Sequence, residues 1–146
     1  MKILKVINLQ NKNIKLDLLP EIGGRIRSLS YDDFYVLRPI PLQDLNSIKL
    51  FKGGSFPLVP FSNRIKNAKF NFKGSEYNLK QNAFPHAIHG HGYLSEWSIL
   101  EQSKSSAIII YRHQAHKLGW PWPYEITQSI YLKNYSCIIE LKLMNN

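Results

Sequence analysis

Strict two-residue alternation constrains this chain more than any other feature. Tyr124, Ile126, Ile130 and Leu132 fall on one face of an extended segment whose other face carries Glu125, Thr127, Ser129 and Tyr131. After Lys133-Asn134-Tyr135-Ser136 the pattern resumes at Cys137, Ile139, Leu141 and Leu143, so the two runs read as a β-hairpin. Similar short strands are expected at Lys2–Leu9, Asn13–Leu18, Arg25–Tyr31, Lys69–Phe72, Glu76–Leu79, Trp97–Gln102 and Ala107–His113. Turn residues divide them: Gly23-Gly24, Asp32-Asp33 and Lys73-Gly74-Ser75. Only Leu42, Leu45, Ile48 and Phe51, after Pro41, carry a helix-like spacing, enough for one or two turns. The expectation is an all-β chain folded as an antiparallel β-sandwich.

With 146 residues and 44% apolar content, the chain can bury one core without disulfides, and no linker or repeat divides it. Residues 1–146 read as one domain. The formal charge of +9 would suit a nucleic acid or an acidic membrane, but no two basic residues are adjacent. The charge therefore reads as a solvated surface, with neither partner expected. Cys137, the one cysteine, lies inside an apolar alternating run and reads as a buried structural thiol in a reducing compartment. Lys5 and Asn8 break the apolar residues of the first ten positions, so no signal peptide is read there, and no run approaches membrane-spanning length. These observations favour the cytoplasm.

Two loop-like stretches, Phe51 to Lys66 and Gln81 to Glu96, are richer in Gly, Pro, His and aromatics than a connection requires. In Ile88-His89-Gly90-His91-Gly92 the two histidines would point the same way on an extended backbone. They could chelate a metal with Glu96, hydrogen-bond a ligand oxygen, or simply sit on a surface turn. The run from Gly53 to Ile65 ends its proline-stiffened apolar segment in Asn63-Arg64, where a planar guanidinium could meet sugar hydroxyls or brace its own loop. A third stretch, His113 to Pro123, holds Trp120 and Trp122, which could stack on sugar faces or serve packing alone.

Taken in order, these motifs resemble the aldose 1-epimerase family, the galactose mutarotases. The resemblance rests on Gly23-Gly24-Arg25-Ile26, the Gly53 to Ile65 run, Phe70, Phe72, Gly74, Tyr77 and Leu79, the 87–92 run, Trp97, and Trp120-Pro121-Trp122-Pro123-Tyr124. It implies the family's large β-sandwich, or supersandwich, an open sugar cleft without a cofactor, and interconversion of the α and β anomers of a free aldose. By the same resemblance Asn63 and Arg64 match the family's substrate-contacting pair, and His89 matches its first catalytic histidine. His91 stands where many members carry another residue. The family's second histidine, substrate-binding aspartate and glutamate base lie in a later half, so the chain is expected to correspond to the amino-terminal half of the family's domain. A monosaccharide is then the expected small-molecule partner, and a second copy or a separate carboxy-terminal half the expected protein partner. Two other readings stand beside this one: a metal-dependent cupin-like protein using His89, His91 and Glu96, and a non-catalytic sugar-binding module.

Overall fold

A computed structural model describes residues 4–45 and 53–146. Ile48 and Phe51 of the helix-like spacing, and Lys2 and Ile3 of the first expected strand, lie outside these residues. Twelve strands run through the described residues: β1 (Ile7–Asn11), β2 (Ile14–Leu19), β3 (Arg25–Tyr31), β4 (Phe34–Leu37), β5 (Arg64–Ile65), β6 (Lys69–Phe72), β7 (Ser75–Asn78), β8 (Ala87–Ile88), β9 (Ser98–Gln102), β10 (Ser106–His113), β11 (Tyr124–Lys133) and β12 (Ser136–Asn145). The remaining regular structure is short 3-10 turns. One of them, Leu42–Asp44, is all that the helix-like spacing yields here. Among these residues no helix is long and apolar enough to cross a membrane.

The alternation works as expected in the long strands. In β11, Tyr124, Ile126, Gln128, Ile130 and Leu132 are buried while the residues between them stay half-exposed. Two four-stranded antiparallel sheets result, ordered β1-β2-β3-β4 and β12-β11-β10-β9. Their apolar faces meet in one core that takes Ile7, Leu9, Leu16, Leu18 and Ile26 from the first sheet and Ile109, Tyr111, Tyr124, Ile126 and Ile130 from the second. Direct hydrogen bonds also join the layers, including Asn11 Nδ2 to the Leu132 carbonyl at 2.9 Å and Gln128 Nε2 to the Gly24 carbonyl at 2.9 Å.

Two small ladders stand apart from the sandwich: β6 with β7, and β5 with β8. The latter pair and β4 had no alternating signature long enough to mark them. The Gly53 to Ile65 run, part of the loop-like stretch Phe51 to Lys66, is irregular over most of its length. It touches its neighbours through single bridges, Ser55 to Ile26 and Val59 to Gly90, and becomes a strand only at Arg64. Prolines at 57 and 60 carry no N–H, so a continuous ladder cannot form there.

The two-sheet core makes a stability prediction. Ile109 is fully buried on β10, so Ile109→Ala should cost about 2–5 kcal/mol by urea denaturation. Leu100, on β9, is 49% exposed, and Leu100→Ala should cost less than about 1 kcal/mol. Equal losses would show that the core lies elsewhere.

Candidate functional site

The Gly53 to Ile65 run is anchored to β3 by a reciprocal pair of backbone bonds between Ser55 and Ile26, at 2.9 and 2.8 Å. From there it crosses the 87–92 run at Val59, whose carbonyl accepts the N–H groups of His91 at 2.9 Å and Gly92 at 3.0 Å. That crossing dictates glycine. A Cβ at position 90 would stand 1.9 Å from the Val59 oxygen, and one at position 92 would stand 2.1 Å from a Val59 methyl. Gly90 also takes φ +66°, and His89 before it takes φ +60°. Two consecutive left-handed residues turn the chain sharply, so the backbone from 89 to 91 is not extended and the two imidazoles do not share a face.

His89 is therefore parted from His91 and joined to Asn63 and Arg64. The His89 N–H donates to the Asn63 carbonyl at 3.0 Å, and the Asn63 N–H donates back to His89 Nδ1 at 3.1 Å. Because Nδ1 accepts, the proton of the neutral imidazole is assigned to Nε2. Arg64 pairs with Ile88 across the β5–β8 ladder, its own N–H held by Asn63 Oδ1 at 2.9 Å. Its side chain is exposed and, among the described residues, its guanidinium pairs with no carboxylate. Arg64 and His89, distant in sequence, thus sit on adjacent backbone positions.

Residues that sequence reasoning passed over hold this group in place. Asn82 clamps the 87–92 run from outside: its Oδ1 accepts from the Ile88 N–H at 2.7 Å, and its amide reaches the Ile88 carbonyl, the Gly90 carbonyl and the Tyr93 hydroxyl. Phe56 lies edge-on to His89, with centroids 6.3 Å apart, and against Tyr93 at 5.2 Å. Behind Phe56 lies the guanidinium of fully buried Arg25, 4.2 Å from the ring centroid. Burial lowers the Arg25 pKa to about 10 while Tyr93 acts to raise it, so the cation persists at neutral pH. The Gly23-Gly24-Arg25-Ile26 motif was the only sequence sign of this support. Arg25 corrects the reading of the basic residues as uniformly solvated.

His91 turns inward. It is buried, with Nε2 2.9 Å from His113 Nδ1 and 2.8 Å from the Tyr124 hydroxyl, while Tyr111 reaches His113 Nδ1 at 3.2 Å. Burial depresses the His91 pKa to about 4, with His113 and Lys117 pushing the same way, and burial also lowers His113 and raises the Tyr124 hydroxyl. The metal reading required His89, His91 and Glu96 to converge. Among the described residues no group of three or more His, Cys, Asp or Glu side chains could hold an ion.

Trp120 and Trp122 are half-buried in an aromatic set. Trp120 stacks on Phe61 at 5.9 Å and meets Trp122 edge-on at 5.5 Å, while Trp122 packs on Phe70, Phe72 and Tyr77. Phe61 lies two residues before Asn63, so this set borders the Arg64 and His89 group. A cavity of about 210 Å³, lined by Phe61, Leu79, Asn82, Gly90, His91 and Leu118 among others, opens nearby but takes in neither Arg64 nor His89. It reaches His91 and Asn82 but leaves the Arg64 and His89 group outside its lining.

Comparison with known proteins bears on the family and the fold. The family described as aldose 1-epimerase matches residues 5–146. The Escherichia coli K12 protein YphB is 29% identical over 142 residues, which are 96% of this chain and 46% of YphB. A crystal structure of a candidate aldose 1-epimerase from Escherichia coli K12 superposes with a TM-score of 0.82 at 29% identity, over 97% of this chain and 46% of that one. The Slr1438 protein of Synechocystis sp. PCC 6803 gives 0.80 at 22% identity over 99% and 50%. A galactose 1-epimerase from Lactobacillus acidophilus gives 0.79 at 16% over 99% and 45%, and at these lower identities the likeness is one of fold. The chain spans about half the length of the relatives it matches.

The buried histidines predict an acid limb in stability. A histidine whose pKa falls to about 4 on folding binds fewer protons than the unfolded chain between about pH 6.5 and 4. Its contribution is complete above pH 6.5 and lost as pH falls through 4. Urea titrations should show a loss on the order of 2 kcal/mol between pH 7 and 4, reduced in His91→Phe. A flat profile in the wild type would refute the buried neutral assignment.

Proposed function

The chain belongs to the aldose 1-epimerase family, and from that premise we propose that Asn63, Arg64 and His89 bind the ring-oxygen side of an aldose. The observation that carries the reading is the reciprocal Asn63–His89 lock: it occupies Nδ1 and leaves the Nε2–H of His89 as a donor one backbone position from Arg64, whose exposed guanidinium pairs with no carboxylate among the described residues. A sugar ring oxygen is an acceptor, and charge-assisted donors suit it. Trp120, with Phe61, would border the apolar face of the sugar, and Trp122 would support it from the aromatic set. In this reading His91 holds the loop rather than the sugar.

Anomer interconversion needs two proton movements. A base takes the proton of the anomeric hydroxyl while a proton is given to the ring oxygen; the bond between C1 and the ring oxygen breaks, the open aldehyde turns about C1–C2, and the ring recloses with the opposite configuration. His89 Nε2–H and Arg64 suit the second movement. The residues assembled around them supply no group for the first, so binding and ring-oxygen polarisation are the functions proposed for these residues, and full interconversion requires a base from elsewhere.

Two measurements test this. Galactose or glucose titrated into the labelled protein should shift resonances of the 61–65 and 87–92 runs, and Arg64→Ala should weaken binding by roughly 1–3 kcal/mol. No loss of affinity would remove Arg64 from the site. Polarimetry on freshly dissolved α-galactose should show the buffer rate for a polypeptide of these 146 residues. An acceleration abolished by His89→Ala would instead show that one of its own side chains acts as the base, since a positioned general base is worth about 10²–10⁴-fold.

A further inference from the structure

One carbonyl fixes the protons of the buried His91–His113 pair. His113 Nε2 faces the Trp120 oxygen at 3.4 Å, a long contact in which the carbonyl can only accept, and the same oxygen takes the His116 N–H at 2.8 Å. Burial and the nearby Lys117 charge keep both rings neutral, with one proton each. The His113 proton is therefore on Nε2. Its Nδ1 is left as an acceptor 2.9 Å from His91 Nε2, so the His91 proton lies between the two rings, with the Tyr124 oxygen 2.8 Å from the same nitrogen. Tyr111, at 3.2 Å, is the more distant donor to His113 Nδ1. All four side chains are buried, and whatever packs outside them leaves these contacts in place.

That directed chain closes a triangle of loops. The 53–65 run meets the 87–92 run where the Val59 carbonyl accepts the His91 N–H, and the 87–92 run meets the 113–123 stretch through His91, His113 and the Trp120 carbonyl. Trp120 then returns to the first run by stacking on Phe61. Apolar side chains in place of the two histidines would fill this space at a smaller desolvation cost, but apolar contacts slide, whereas a hydrogen bond has one length and one direction. The polar pair specifies a position that an apolar pair would leave loose.

We propose that His91 and His113 are positioning residues that act as one unit, setting His89 and Arg64 on one arm of the site against Trp120 on the other. The role rests on the reading of these arms as a sugar site; the link between them does not. A sugar held at its ring oxygen and stacked on its apolar face needs both arms at one separation, so moving either arm weakens both contacts.

Nuclear magnetic resonance with ring-labelled histidine tests the link without any sugar. A nitrogen–nitrogen coupling should connect His91 Nε2 with His113 Nδ1 across the hydrogen bond, and both rings should carry their proton on Nε2. His91→Phe and His113→Phe should each shift the Asn63 amide and Trp120 indole resonances together and raise the galactose dissociation constant about tenfold, and the double variant should raise it no further. His91→Gln, whose amide can donate to His113 Nδ1, should return both resonances and the affinity toward the wild type. Tyr111→Phe removes a hydroxyl from the same buried cluster, and because His91 already fills His113 Nδ1 it should move neither arm. If a phenylalanine variant fails to fold, the coupling in the wild type and the His91→Gln and Tyr111→Phe variants still decide the outcome. Absence of the coupling, shifts confined to the arm nearer the substitution, additive losses, no recovery with glutamine, or an equal response to Tyr111→Phe would each overturn the proposal. A wild type with the coupling and the paired shifts that binds no galactose would instead overturn the sugar reading of the arms and leave the link standing.

Discussion

The carbonyl of Val59 is the point on which the candidate site depends. It accepts two N–H groups from the 87–92 run and stands so close to Gly90 that no side chain fits between them. The chain must turn through left-handed backbone to make this approach, and that turn sends His89 outward to Asn63 and His91 inward to Tyr124. One backbone crossing thus settles which of two neighbouring imidazoles meets solvent and which becomes part of the core. The glycines on either side of His91 are there for Val59, Gly90 for its carbonyl and Gly92 for its side chain.

Behind the crossing the site is fastened to both sheets through buried polar groups, which are costly unless bonded. Gln128 on β11 donates to the Gly24 carbonyl, and the turn it holds delivers Arg25 beneath Phe56. Gly23 in that turn donates to the Ser95 carbonyl and packs so tightly on the Tyr93 backbone that a Cβ would come within 2.0 Å. The histidine–tyrosine cluster fills the space on the other side, where a neutral His91 keeps a charge out of the core. Arg64 and His89 are surface residues, but their positions are set by layers that a substitution of either would leave intact.

Identical patterns meet different fates in the second sheet. Alternating apolar residues on β11 are buried, while their partners on β12, in register across the hairpin, are about half exposed. Hydrophobic character determines that a face favours burial; what covers it depends on the neighbouring layer. β11 lies over the first sheet, and β12 extends beyond it.

Period-two alternation made the sheets, the β11–β12 hairpin and most strand positions legible in the sequence, because pleating assigns successive side chains to opposite faces wherever the strand ends up. Family resemblance marked Asn63, Arg64 and His89 as one group. Neither could reveal the left-handed turn that separates His89 from His91, the inward path of Arg25, the clamp formed by Asn82, or the single bridges that fasten the loop between Gly53 and Arg64. Each of those follows from a close approach between segments far apart in the chain, and such contacts leave only scattered glycines and single polar residues as their trace. Local chemistry by itself determined the strands, and resemblance to a family singled out the candidate site residues. Only the tertiary structure decided which way those residues face, because direction is set by what the other loop or the other sheet allows.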